Sequence, residues 1–235
     1  KATGIPMAKV ATRVMWQGNL REALKFYDQF GVLSEEKGIL KPKIKNHICV
    51  KESVFPFNKL TGADLILGPE MKSTGEVMGI GENFAKAFAK SQIAANNVLP
   101  SNGLVFLSLA EHDKLRAVEL ATALRKIGFT ICATSGTHKL LSENGVECEF
   151  VYKISEGRPN IEDRLKNGDI ALVINTSDNK SSSSDAAKIR QSVLRFKLPY
   201  FTTMKAALAA TLSVCSMQDG SALEVKSLQE YLEKK

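Results

Sequence analysis

Between residues 104 and 216 short apolar runs alternate with helical patterns, and this alternation limits the possible folds more than any other feature of the chain. Leu104-Val105-Phe106-Leu107-Ser108-Leu109 is almost wholly apolar, as a strand covered on both faces must be. From Asp113 to Ile127, Leu115, Val118, Leu120, Ala121, Leu124 and Ile127 fall near helical spacing, and Gly128 supplies the stop. The pattern then predicts a strand at 129–133, a helix at 137–143 and a strand at 147–152. A helix at 160–166 and a strand at 170–174 follow. Next come a helix near 184–197 with Ser184 or Asp185 as N-cap, a short strand after Pro199, and a buried alanine-rich helix over Met204–Val214. The predicted fold class is α/β, a three-layer sandwich around a parallel sheet.

The first hundred residues lack this alternation. Lys1–Met15 reads as a strand edge and a helix, and residues 19–46 are polar and lysine-rich, predicting an irregular or locally helical excursion. Ile48–Val54 alternates as a strand, and Glu82–Val98 reads as a helix. Leu99-Pro100-Ser101-Asn102-Gly103 has the composition of a linker. The expected division is therefore residues 1–98, a linker at 99–103, and a second domain at 104–235. The first part carries too few elements to complete a domain, and the chain opens on Lys1 rather than Met, so it is expected to be the end of something larger.

At 44% hydrophobic and 24% charged residues the composition is that of an ordinary globular protein. No run approaches the ~20 apolar residues that span a bilayer, and no leader pattern is visible. The four cysteines are scattered without a CxxC, which fits reduced thiols and a cytoplasmic setting. His47-x-Cys49 alone is a poor zinc motif, so no metal site is expected. The net charge of +7 raises nucleic-acid binding. However, the lysines alternate with acids, and no aromatics interleave with them as a stacking platform would need. Neither nucleic acid nor membrane is an expected partner; a basic surface also suits phosphorylated small molecules.

Three polar corners carry the candidate chemistry. Thr134-Ser135-Gly136-Thr137-His138 joins a strand to a helix, combining hydroxyls, a glycine and unpaired N–H groups that suit a phosphate. Lys114 is expected in the first helical turn after Leu104–Leu109, where a cation opposes the macrodipole unless an anion binds beside it. Asn175-Thr176-Ser177 closes the strand 170–174, and Lys153 follows the strand 147–152. Each has a plainer explanation: Thr134 and Thr137 as helix caps, Asn175–Ser177 as a turn, Lys114 as a surface lysine. Their coincidence at successive strand ends favours one phosphate-ligand site. Arg158, Glu162 and Asp163 are candidates for acid–base work, although Asp163 is equally explained by a salt bridge to Arg164 or Lys166. No Ser-His-Asp or Cys-His pattern occurs.

Glu52-Ser53-Val54-Phe55-Pro56-Phe57-Asn58-Lys59 and Leu67-Gly68-Pro69-Glu70-Met71-Lys72-Ser73-Thr74-Gly75-Glu76-Val77-Met78-Gly79 closely resemble the large subunit of carbamoyl-phosphate synthetase. The likeness continues through Thr134–Thr137, Glu156-Gly157-Arg158-Pro159 and Ile174-Asn175-Thr176, and is weakest at 19–46. The resemblance implies that residues 1–98 are the tail of the carbamate-phosphorylating ATP-grasp half. It further implies that residues 104–235 are a regulatory domain of methylglyoxal synthase-like fold. In bacterial members that domain binds the nucleotides UMP and IMP. The positions matching that site are Ser108, Lys114, Thr134, Thr137, Lys153, Asn175, Thr176 and Ser177, with Asp185 near the base or ribose. Ser177 stands where threonine is usual and keeps the hydroxyl. Glu52, Tyr200 and Thr202 match a site for the activator ornithine. The resemblance also implies a parent ligase that makes carbamoyl phosphate from glutamine-derived ammonia, bicarbonate and two ATP, for pyrimidine and arginine biosynthesis. That parent uses Mg (or Mn) and K ions and a glutaminase small subunit, and it oligomerises through its C-terminal domain. The nucleotide lysines and metal ligands of the ATP-grasp fold are expected upstream of Lys1, so this stretch is not expected to catalyse alone or to hold a cofactor. The alternative is a methylglyoxal synthase-like lyase acting on dihydroxyacetone phosphate, with Asp163 or Asp178 as its carboxylate base.

Overall fold

The computed structural model describes residues 2–28, 33–43, 46–55, 57, 65, 75–176, 184–220 and 223–232. Helices α1 (Met7–Gln17) and α2 (Leu20–Asp28) close over a small apolar cluster of Ile5, Val10, Ala23 and Leu33. A hairpin follows, β1 (Leu33–Glu36) against β2 (Ile39–Pro42). It turns at Lys37-Gly38, whose φ values of 50° and 79° give the type I′ geometry that matches strand twist. Much of the stretch expected to be irregular is thus a helix and a hairpin. Its lysines Lys37, Lys41 and Lys43 are exposed, so the polar composition reflects solvated faces rather than irregular backbone.

Strand β3 (Ile48–Val54) pairs antiparallel with β4 (Gly75–Gly81), and α3 (Phe84–Ala94) packs across them. Gly79 permits that contact: a Cβ there would overlap the Ala87 carbonyl oxygen and stand 2.5 Å from Ser91 N. Residues 67–74 of the long motif lie outside the described residues. Helix α3 ends four residues before the expected Val98, at a backbone turn with Asn96 at φ 59°.

The second part is a single parallel sheet. Its strands are β5 (Gly103–Ser108), β6 (Phe129–Ala133), β7 (Glu149–Phe150), β8 (Ile170–Asn175) and β9 (Tyr200–Phe201), in the spatial order β7-β6-β5-β8-β9. Helices α4 (Ala117–Lys126), α5 (Ser135–Glu143), α6 (Ile161–Asn167), α7 (Ser184–Phe196) and α8 (Met204–Gln218) cover both faces. Alternation within each strand sorts the core. Val105, Leu107, Ile131, Leu172 and Ile174 pack with α4, α5 and α8, whereas Phe106, Cys132 and Val173 pack with α6 and α7. This is the expected three-layer α/β sandwich. Strand β7 is two residues long: Val151 still donates its N–H to the Ala133 carbonyl at 3.0 Å, but Tyr152 makes a lone bridge to Asn160 rather than pairing with β6. Asn160 then starts α6 with a capping box, its side chain accepting from Glu162 N and Asp163 N while Asp163 accepts from Asn160 N.

The two parts share a core. Phe88 of α3 and Leu99 are buried in the cluster that covers one face of the sheet. Ser213 of α8 donates to the Ala85 carbonyl at 2.9 Å. A last short helix, α9 (Leu228–Leu232), is held by Tyr231, whose hydroxyl donates to the Ile80 carbonyl at 3.3 Å and receives Lys90 Nζ at 3.0 Å. No helix among the described residues is long and apolar enough to cross a membrane.

Candidate functional site

From β5 the chain builds outward through β6 to β7, then returns to the other flank of β5 with β8 and continues to β9. The strand order therefore reverses between β5 and β8, and a crevice opens beyond their carboxyl ends, where open α/β sheets bind ligands. Ser108 and Asn175, the last residues of these two strands, are register partners across that seam. Thr134 follows β6 on the adjoining side. The three corners expected from the sequence thus sit on contiguous strands.

Backbone and hydroxyls knit the corners together. The segment leaving β5 donates Leu109 N–H to Thr137 Oγ1 at 3.1 Å and Ala110 N–H to Thr176 Oγ1 at 2.9 Å. Thr176 N–H donates back to Ser108 O at 3.0 Å, and the Thr134 hydroxyl donates to Ser108 Oγ at 3.3 Å. Thr134 and Thr137 do not cap α5 with their side chains. Thr134 holds the N-cap position without a capping bond, and Thr137 is a buried peg under the β5 exit. With no side-chain cap, the first-turn amides of α5 keep their capacity to donate at this helix end.

Lys114 reaches this helix end from the side. It does not occupy the first turn of an α-helix, as its place after the strand implied. Residues Glu111–Arg116 form a 3₁₀ helix ahead of α4, and Leu115, expected on the apolar face, is 92% exposed. The tighter winding swings Lys114 toward α5, where its ammonium lies 3.3 Å from the place a Cβ on Gly136 would occupy. The same ammonium pairs with exposed Glu111. A glycine at 136 therefore keeps room between a cation and a helix N-terminus, two features that converge on an anion.

The other expected residues are placed as follows. Lys153 is half-exposed in the loop after β7, 3.7 Å from Glu156 Oε1, with its backbone N–H donated to the same carboxylate at 3.0 Å. Ser177 and Asp178 lie outside the described residues. Asp185 is no N-cap, because α7 starts at Ser184 and places it in the first turn. Its Oδ2 instead accepts the amide of Ser155 at 3.2 Å and the Ser155 hydroxyl. Ser155, thirty positions away in sequence, carries no spacing signal and escaped the sequence reading. Two buried side-chain atoms here have no partner among the described residues: Asn175 Nδ2, a donor, and Asp185 Oδ1, an acceptor. Buried polar atoms are almost always paired, so these two mark where a ligand's complementary groups fit.

Glu52 on β3 accepts Gln92 Nε2 at 3.1 Å, and burial raises its carboxyl above the ordinary range. Tyr200 donates its hydroxyl to the Asn175 carbonyl at 3.4 Å, and Thr202 is half-buried just beyond β9. The structure thus ties Glu52 to α3 and Tyr200 to the corner at the end of β8. The acid–base candidates have structural partners. Asp163 serves the α6 capping box and lies 3.6 Å from Arg158, not on Arg164 or Lys166, while Glu162 pairs with Lys166 at 3.1 Å. Arg164 pairs with Glu149 at 2.8 Å. Burial pushes the Cys132 thiol up to about 12 and Cys148 up to about 11, so neither is a nucleophile near neutrality. Among the described residues no three His, Cys, Asp or Glu side chains gather to hold a metal ion.

Comparison with known proteins agrees with this architecture. The MGS-like domain family matches residues 116–202. The chain is 60% identical over 232 residues to the carbamoyl phosphate synthase large chain of Campylobacter jejuni, covering 99% of this chain and 21% of that one. It is 51% identical over 234 residues to the Helicobacter pylori large chain, covering 99% and 21%. It is 48% identical over 232 residues to that of Myxococcus xanthus, covering 99% and 20%. The chain spans about a fifth of the length of the curated relatives it matches.

Proposed function

Since this chain belongs with the carbamoyl phosphate synthase large chains and carries an MGS-like domain, we propose that its parallel-sheet region is the nucleotide sensor of such a ligase. The observation that supports this reading is the convergence at the β5–β8 seam. Lys114 stands over the first turn of α5, and the buried Asn175 amide lacks an acceptor. A nucleoside monophosphate supplies the missing groups. Its phosphate takes the Lys114 ammonium, the Thr134 hydroxyl and the α5 amides. Its ribose and remaining phosphate oxygens take Asn175 and Thr176, with Lys153 closing from the β7 side. UMP and IMP share these phosphate and ribose groups, so one site serves both.

Regulation requires that ligands bind two states of the ligase unequally. The mechanical route is short: β9 leads through Thr203 into α8, α8 packs on α3, and Gln92 of α3 holds Glu52. Ornithine would engage Glu52, Tyr200 and Thr202 with carboxylate and hydroxyl groups suited to an amine. Carbamoyl phosphate synthesis itself, with ATP, Mg (or Mn) and K ions, belongs in this reading to the rest of a full-length large chain, with a glutaminase small subunit as source of ammonia. The described residues hold no cluster of three His, Cys, Asp or Glu side chains. The methylglyoxal synthase-like reading needs a carboxylate base at the phosphate corner, and Asp163 is engaged in capping α6.

Calorimetric titration of the chain with UMP and IMP, each as competitor of the other, tests the proposal. Competitive binding is expected, and Lys114→Ala should weaken both by roughly tenfold or more, the worth of one charge-assisted hydrogen bond of ~1.5–3 kcal/mol. Affinity untouched by Lys114→Ala would remove that lysine from the site, and no binding of either nucleotide would reject the sensor.

A further inference from the structure

We propose that Ser155 is a positioning residue for ribose recognition: it clasps one oxygen of Asp185 so that the other is presented, buried and unpartnered, to a sugar hydroxyl. The proposal rests on the nucleotide reading above and deepens it. Ser155 donates both its backbone amide, at 3.2 Å, and its hydroxyl to the same Asp185 Oδ2. Two donors on one oxygen fix the carboxylate plane. Asp185 is 6% exposed, and its Oδ1 receives nothing. A carboxylate oxygen accepts and repels phosphate, so the ligand must bring a donor, not its phosphate, to this point. In a nucleoside monophosphate the donors next along from the phosphate are the 2′ and 3′ hydroxyls. Asn175 Nδ2, the other orphaned buried atom, is a donor and wants an acceptor. The two orphans are therefore opposite in kind, one suited to the phosphate end of the ligand and one to its hydroxyls.

The clasp also spans the crevice. Ser155 lies two residues after Lys153 in the loop beyond β7, on one side of the seam. Asp185 opens α7, which follows β8 on the other side. The loop that brings the Lys153 ammonium to the phosphate thus sets the ribose acceptor as well.

The test is titration of the chain, and of Ser155→Ala and Ser155→Thr, with UMP and IMP and their 2′,3′-dideoxy counterparts. The unsubstituted chain should prefer the ribonucleotides by roughly tenfold or more, as a hydrogen bond to a charged group implies. Ser155→Ala should shrink that preference toward unity while leaving affinity for the dideoxy forms unchanged, and Ser155→Thr, which keeps the hydroxyl, should restore it. A loss of affinity equal for both ligand types would make Ser155 merely structural and overturn the proposal. So would an unchanged preference in Ser155→Ala, or no preference in the unsubstituted chain. Each of these outcomes leaves the nucleotide sensor standing; absence of binding by any nucleotide would overturn both.

Discussion

On the five-stranded sheet, side chains alternate between two helical layers, and Phe106, Leu107, Leu120, Leu124, Ile131 and Ile161 are all sealed from solvent. In the N-terminal part the β3–β4 pair is covered by α3 through backbone contact at Gly79, and the cluster under α1 and α2 has only four buried residues. Met15 and Trp16, on the same α1, are 88% exposed. The difference shows what each kind of sheet requires. A parallel sheet is stable only with both faces covered, and this one supplies its own cover. A two-stranded antiparallel pair is marginal alone and borrows stability from whatever packs upon it, here α3 and, through α3, α8.

Four substitutions would break or sharpen this contrast. Phe106→Ala should have the largest effect, costing about 3–5 kcal/mol because the sheet core cannot collapse around the lost ring; denaturant titration followed by circular dichroism would measure it. A loss under 1 kcal/mol would mean that the sheet is looser than its packing indicates. Next, Gly79→Ala drives a methyl into the α3 backbone and should cost roughly 1–3 kcal/mol or more. Hydrogen exchange should show the loss concentrated in β3, β4 and α3. Uniform deprotection across β5–β9 would instead show that the two parts unfold as one unit.

Thr137→Val is predicted to cost about 1–3 kcal/mol, since it strands the buried Leu109 amide. Melting of the ligand-free chain separates this from any direct loss of phosphate contact: a variant as stable as the parent would show that the peg is dispensable. The smallest effect is expected from Glu52→Gln. Burial raises the Glu52 carboxyl above its ordinary value of 4.5, so the folded state binds a proton more tightly than the unfolded chain. That contribution is fully present below 4.5 and is lost as pH rises through the folded value. Stability of the parent should therefore fall slightly across that interval, and the glutamine variant should flatten the slope while keeping a partner for Gln92. An identical slope in both proteins would assign it elsewhere.

The corners at 134 and 175 are legible because strand ends are marked by a change from apolar to polar residues, a local signal; Ser108, inside an apolar run, enters only through the family resemblance. Strand β6 was read to the residue for the same reason. The shortness of β7 is not legible: Val151 is as apolar as a strand residue and still bonds to Ala133, but the next residue, Tyr152, bridges to distant Asn160. The hairpin at 33–42 was hidden because surface lysines obscure a two-residue turn whose marker, Lys37-Gly38, is weak. The pairing of Arg158 rather than Arg164 with Asp163 follows from the loop's path, which neighbouring charges in the sequence do not reveal.

From the sequence alone came the α/β class, the positions of most elements and the candidate polar ends, since hydrophobic period and capping chemistry act within a few residues. The tertiary structure decided which strand ends are neighbours, that Lys114 leans on α5 from a 3₁₀ turn, and that Ser155 grips Asp185. Those contacts join residues from 22 to 67 positions apart, set by strand order and helix packing. Burial then leaves one amide and one carboxylate oxygen without partners among the described residues, and no local pattern of residues can specify that.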